Sequence, residues 1–192
     1  MSSVVRAGVA LGSNEGDRMG HLRAAVRWLE KESANPVLIS CVYETAPIGC
    51  PEGTPSFLNA ACEMTFQGNA VELLEKMRDF ERQRGRPVIY SKNSPRPLDM
   101  DLLYAGDLVL QTDQLTLPHP RMLQRRFVLQ PLGEIRPDLV LPGQTQTVAE
   151  ILKILCSQKP EDLAKVLCFS LRKDGESVAV IPSSQGKGHH DP

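Results

Sequence analysis

The sequence predicts an α+β domain of the ferredoxin-like split β-α-β-β-α-β type, an antiparallel sheet with both helices packed on one side, plus a C-terminal extension. Three observations predict it. Apolar residues recur at helical spacing in two separate segments, the segments around them alternate with a period of two, and the elements follow one another in that order. At 192 residues and 41% hydrophobic content, the chain is long enough for one ordinary domain with a real core. The expected division is a domain over residues 1–156 and a partly disordered tail over 157–192.

Residues 4–11 are a β-rich apolar run ending in Gly12-Ser13-Asn14-Glu15-Gly16-Asp17, turn formers whose Asp17 can cap a following helix. That helix is expected over 18–33, because Leu22, Ala25, Val26 and Leu29 recur at helical spacing and Asn35-Pro36 marks its end. A strand over 37–44 follows, mostly apolar on both faces. Residues 45–56 hold Pro47, Pro51 and Pro55 with Gly49 and Gly53, which suits neither helix nor central strand. The strand over 57–66 sorts by parity, with Leu58, Ala60, Cys62, Met64 and Phe66 on one face and Phe57, Asn59, Ala61, Glu63 and Thr65 on the other. Asn69 and Glu72 form a capping-box pair that opens a second helix, with Leu73, Leu74, Met77 and Phe80 inward and a stop at Gly85. After the structureless stretch 86–97, a buried strand over 98–104 completes the pattern. Short extended pieces near 108–110 and 115–117, a helix over 122–132, a helix capped by Thr147 and Glu150, and a stray strand within 166–171 are expected beyond it. The long connections 45–56 and 86–97 are where mobile lids are expected.

Composition narrows the function. Lys and Arg number 22 against 23 Asp and Glu, so no global basic field exists to gather nucleic acid or an anionic membrane surface. Five scattered cysteines without a C-x-x-C pair point away from a disulfide framework or zinc site and toward a reducing, cytoplasmic setting. The N-terminus does not read as a signal peptide, and no apolar run reaches membrane-spanning length. Neither G-x-x-x-x-G-K-[ST] nor G-x-G-x-x-G is present.

The chemistry concentrates at Asp99-Met100-Asp101. Residues two apart on a strand share a face with Cα atoms about 6.6 Å apart, so two carboxylates converge. A hard divalent cation such as magnesium, completed by substrate phosphates, is the natural counter-charge, whereas the bland reading is a pair of solvated acids. Between Arg82 and Arg126 stand eight basic residues against four acids in an otherwise slightly acidic chain, which suits a polyphosphate. Arg86 and Arg96, at the two ends of the loop before the aspartates, are the better candidates, and Arg82, Arg84 and Arg126 read as solvated surface. Glu81, in the last turn of its helix, needs a compensating partner. His119 is held between Pro118 and Pro120, where it is either structural or a phosphate donor. Phe57 and Asn59 share the polar face of their strand and suit a flat heterocycle with amide-like edges, unless Phe57 is simply core.

Taken in register, Leu11-Gly12-Ser13-Asn14, Tyr43-Glu44-Thr45-Ala46-Pro47, Phe57-Leu58-Asn59, Pro95-Arg96 to Asp101 and Pro118-His119-Pro120-Arg121 to Phe127 resemble the 6-hydroxymethyl-7,8-dihydropterin pyrophosphokinases of folate biosynthesis. The resemblance implies transfer of the β,γ-diphosphate of ATP to hydroxymethyl-dihydropterin by a cytoplasmic enzyme, expected to be a monomer. By similarity, the pterin stacks between Phe57 and Phe127 and is read by Asn59 and the backbone of Thr45, Ala46 and Ile48. ATP meets Glu81, Arg86, Lys92, Arg96, Leu102, Thr116, His119 and Arg125. Asp99 and Asp101 hold two magnesium ions, and Arg86, Arg96, Asp99 and Asp101 form the catalytic set. Val88, Asn93 and Gln114 depart from the pattern of some relatives, which carry basic or aromatic residues there. Two other classes compete: a binding module that has lost turnover, and a metal-dependent glycosyltransferase using D-x-D.

Overall fold

The computed structural model describes residues 4–47, 51–87, 94–158, 165–167 and 171. Its centre is the antiparallel pair β1 (Val4–Ser13) and β4 (Phe57–Gln67), joined over ten residues from Val4↔Gln67 to Ser13↔Leu58. β5 (Asp99–Ala105) flanks β1, while β2 (Leu38–Ile39) and β3 (Val42–Thr45) pair with β4, and β8 (Lys165–Leu167) closes the far edge, in the order β5-β1-β4-β3-β8. β6 (Leu110–Gln111) and β7 (Thr116–Leu117) form a separate hairpin.

Helices cover both faces of the sheet. On one lie α1 (Arg18–Glu32), capped by Asp17 accepting from the Gly20 amide at 2.9 Å, and α2 (Ala70–Gln83), opened by the reciprocal Asn69–Glu72 capping box. Between helices and sheet, Ala7, Val9, Leu11, Leu22, Leu29, Cys62, Leu73 and Met77 are buried to 1% exposure or less, each large side chain contributing about 1.5–3 kcal/mol. Phe80, expected inward, stacks half-buried on Trp28 with centroids 5.2 Å apart. On the opposite face a 3-10 turn (Met122–Gln124), α3 (Arg126–Ile135) and α4 (Val148–Gln158) bury a second core around Ala61, Leu103, Tyr104, Leu129 and Leu132.

Two elements differ from the sequence expectation, and the strand expected within 166–171 lies at Lys165–Leu167. The strand over 37–44 breaks between Ile39 and Val42, because the Cys41 amide turns out of the ladder to donate to the Glu134 carboxylate of α3, 3.0 Å from each oxygen. Ser40 bridges the break, its hydroxyl accepting from the Ala61 amide at 2.9 Å. The helix over 122–132 divides at Arg125, whose extended backbone (φ −116°, ψ 105°) separates the 3-10 turn from α3. From the tail, β8 pairs with β3 (Tyr43↔Val166), and Leu171 reaches the first core at 2% exposure.

Candidate active site

The C-terminal end of β1 and the N-terminal ends of β4 and β5 converge with the start of α3 on one pocket. Register places Gly12 between Asn59 and Asp99, so these residues face the α3 side of the sheet together. A Cβ on Gly12 would sit 3.6 Å from the Asn59 Oδ1, 3.7 Å from the Asp99 Cβ and 4.0 Å from the Phe57 ring, filling the floor that glycine leaves open. Thr45, Ala46, Phe57, Asn59, Arg96, Asp99, Asp101, Arg125 and Phe127 complete the lining. Asn59 is 6% exposed, and its amide nitrogen donates to the Thr45 hydroxyl at 2.8 Å. Each aromatic ring carries a guanidinium: Arg96 over Phe57 at 5.3 Å and Arg125 over Phe127 at 5.4 Å.

A chain of charges runs from α2 into this pocket. Glu81, 5% exposed, accepts from the Met100 amide at 2.7 Å, which satisfies an N–H that the edge strand β5 turns away from β1. It is also bonded to Arg86. Arg86 in turn donates to the Asp99 Oδ1 at 2.6 Å, and Arg96 lies 2.7 Å from the Asp99 Oδ2, so both carboxylate oxygens are compensated. Among the described residues Asp101 is ion-paired with Arg125, at 3.9 Å. Burial pushes the Glu81 carboxyl up to about 7 against the pull of Arg86. Asp101 keeps 38% of its side-chain surface open to the cleft yet is walled by protein, and burial with the Asp99 charge raises it to about 6 against the pull of Arg125, Arg96 and Arg86. Asp101, raised by burial and by the neighbouring Asp99 charge, is the carboxylate of the pair that a divalent cation would relieve, and hard oxygen donors suit magnesium.

Beyond β5 a groove runs between α2 and the β6–β7 hairpin. Its two cavities share Leu74, Arg78, Met100 and Asp101. One continues along Glu81, Arg82 and Arg86, and the other along Leu102, Leu115, Thr116 and His119. The backbone amide of His119 is fixed on the Leu103 carbonyl at 2.8 Å, and burial followed by the charges of Arg125 and Arg121 holds its ring toward the neutral form. Of the residues expected to meet the nucleotide, Glu81, Arg86, Leu102, Thr116 and His119 line this groove, whereas Arg96 and Arg125 line the neighbouring pocket. Ile48 and Lys92, with Val88 and Asn93, lie outside the described residues. Arg82, expected on solvated surface, borders the groove while paired with Asp79, whereas Arg84 contacts the His21 ring at 3.1 Å. Arg126 bonds Gln130 at 3.1 Å.

Two contributions escape sequence reasoning. Asn14, 1% exposed, accepts from the Arg96 amide at 2.8 Å and donates to the Pro55 carbonyl at 3.4 Å, fastening the segments that lead into Asp99 and Phe57 to each other. Its sequence signal is its place in the Leu11-Gly12-Ser13-Asn14 motif, which does not reveal the bonds it makes. Arg78, an unremarkable helix-surface arginine in the sequence, lines both cavities of the groove.

Residues 8–137 match the sequence model of the 7,8-dihydro-6-hydroxymethylpterin-pyrophosphokinase (HPPK) family. The 2-amino-4-hydroxy-6-hydroxymethyldihydropteridine pyrophosphokinase of Bacillus subtilis is 44% identical over 128 residues, covering 66% of this chain and 75% of the relative. The mitochondrial folate synthesis bifunctional protein of Arabidopsis thaliana is 40% identical over 129 residues, and the match spans 66% of this chain but 23% of that protein. The crystal structure of Plasmodium falciparum HPPK-DHPS shares the fold at a TM-score of 0.66 and 13% identity, over 84% of this chain and 46% of that one.

Proposed function

The chain belongs to the 7,8-dihydro-6-hydroxymethylpterin-pyrophosphokinase family, and on that premise we propose that it transfers the β,γ-diphosphate of ATP to 6-hydroxymethyl-7,8-dihydropterin in folate biosynthesis, releasing AMP. One observation carries the reading: among the described lining residues only Asp101 borders the Phe57–Phe127 pocket and both cavities of the groove. A pterin in the first and a nucleotide in the second would therefore meet over one carboxylate.

In this reading Phe57 and Phe127 stack the pterin, while Asn59 and the backbone of Thr45, Ala46 and Ile48 read its edges. The nucleotide occupies the groove with Glu81, Leu102, Thr116 and His119, its phosphates directed toward Arg86, Arg96, Arg125 and Lys92. Asp99 and Asp101 would hold two magnesium ions, which supply positive charge to the phosphate oxygens at both ends of the displacement. Arg86 and Arg96, bonded to Asp99 in the free protein, then turn their forks to the phosphates. The hydroxymethyl oxygen forms a bond to the β-phosphorus as its proton passes to the Asp101 carboxylate. The bond from that phosphorus to the oxygen bridging the α-phosphate breaks, and AMP departs with the electron pair, met by Arg125 and His119.

The catalytic domain is assigned to residues 1–156, and 157–192 to an appended tail. The assigned setting is a cytoplasmic monomer with small-molecule substrates and no nucleic-acid partner, in keeping with the near-neutral net charge of −1. Chromatography of a reaction containing ATP, magnesium and the pterin tests the assignment. Stoichiometric AMP with pterin diphosphate is expected, and ADP with a pterin monophosphate would overturn it.

A further inference from the structure

We propose that Arg78 is a nucleotide-binding residue that grips the α-phosphate, at the join between the base-side and phosphate-side halves of the groove. The proposal rests on the assignment of that groove to ATP and extends it to a residue that sequence reasoning left on the helix surface.

Arg78 stands on the outer face of α2, one turn before Glu81, and is exposed. Its Nη2 donates to the Gln114 carbonyl at 3.3 Å, 36 residues away, so the side chain reaches across the groove to the hairpin instead of into solvent. A single bond of this kind engages one of the five N–H donors of a guanidinium. Arg78 lines both cavities of the groove, and a guanidinium is the planar form that binds phosphate oxygens in pairs.

The charges on either side locate what it grips. Toward Arg86 the cavity is bordered by two further arginines, Arg82 and Arg86, which suit the outer phosphates. Toward the hairpin the wall is partly apolar, with Leu102 and Leu115, and its charged groups are Asp101 and Asp113. His119 there is held toward neutrality by burial and by Arg125 and Arg121. Arg78 is thus the only formally cationic side chain among the described residues lining the hairpin-side cavity. The hairpin itself offers the neutral Gln114. A nucleotide with its base against the leucines and its outer phosphates at Arg86 places its α-phosphate beside Arg78, and no other described guanidinium borders both halves.

Calorimetric titration of the full chain with AMP, adenosine and tripolyphosphate, each with magnesium, tests this on Arg78→Ala. AMP affinity is expected to fall about ten-fold, the scale of one charge-assisted pair of hydrogen bonds. Adenosine affinity is expected to stay within about two-fold because it carries no phosphate, whereas tripolyphosphate, whose three phosphates can reach the Arg78 position, is expected to lose no more than AMP does. In turnover, KM for ATP should rise with KM for the pterin unchanged, and Gln114→Lys added to Arg78→Ala should recover most of the lost AMP affinity from the hairpin side. Unchanged AMP binding, or an equal loss for all three ligands, overturns the proposal. The titrations need no catalysis, so a wild-type chain that binds AMP through Arg78 but forms none from ATP and pterin would refute the transfer reaction while leaving Arg78 in place.

Discussion

Glu81 offers a measurement with a defined sign and size. Its carboxyl is raised from 4.5 to about 7 in the folded chain, first by burial, with Arg86 opposing. Between these values the folded state holds a proton that the unfolded state has released, so stability falls as pH rises. The contribution of the protonated carboxyl is fully present below about 4.5 and lost as pH passes 7. A displacement of this size corresponds to about 3 kcal/mol at 1.36 kcal/mol per unit. The group is 5% exposed, so solvent screening reduces this little, but the bonds from Arg86 and the Met100 amide make it an upper figure. Glu81→Gln keeps an oxygen for the Met100 amide and cannot ionise. Urea unfolding of both proteins in EDTA, from pH 5 to 8, should show near-equal stability at pH 5 and a widening advantage of Glu81→Gln toward pH 8, reaching about 1–3 kcal/mol. Parallel pH profiles would mean that Glu81 stays ionised throughout and that Arg86 outweighs burial.

Other perturbations separate the parts of the site. Asp99→Asn and Asp101→Asn should each abolish AMP formation. Asp99→Asn weakens the bonds of two arginines and should cost about 1–3 kcal/mol in urea unfolding, whereas Asp101→Asn relieves repulsion and should cost nothing. Equal stability of the two variants would contradict the bonding seen at Asp99. Asn14→Ala removes the link between Arg96 and Pro55, and should raise KM for both ATP and the pterin. A rise for one substrate only would show that the link does not couple the two walls. Gly8→Ala would place a Cβ 2.1 Å from the Tyr104 ring, which is held by its hydroxyl on the buried Glu63 at 2.6 Å. Overpacking there should lower stability by at least about 2 kcal/mol, read as reduced soluble yield and a lower melting temperature.

What was legible in the chain follows from local rules. The period of two in 57–66 settles which residues of β4 enter the first core and which, Phe57 and Asn59 among them, face the other side, because strand geometry allows no other division. The same rule places Asp99 and Asp101 on one face, and the Asn69–Glu72 pair caps α2 within four residues of chain. Tertiary structure decided what depends on groups far apart in sequence. The break in the strand at Cys41 is made by Glu134, 93 residues away, and no local pattern announces it. Nor does the start of α3 at Arg126 carry a capping side chain to mark it. The asymmetry of the two aspartates, one clasped by Arg86 and Arg96 and the other facing Arg125 at 3.9 Å, arises only when α2, β5 and α3 are packed around them. Arg78 becomes part of a groove only when the β6–β7 hairpin folds against α2. Periodicity and capping are properties of neighbouring residues, whereas a charge acquires its partner, and a helix-surface arginine its place in a groove, through the three-dimensional arrangement of distant segments.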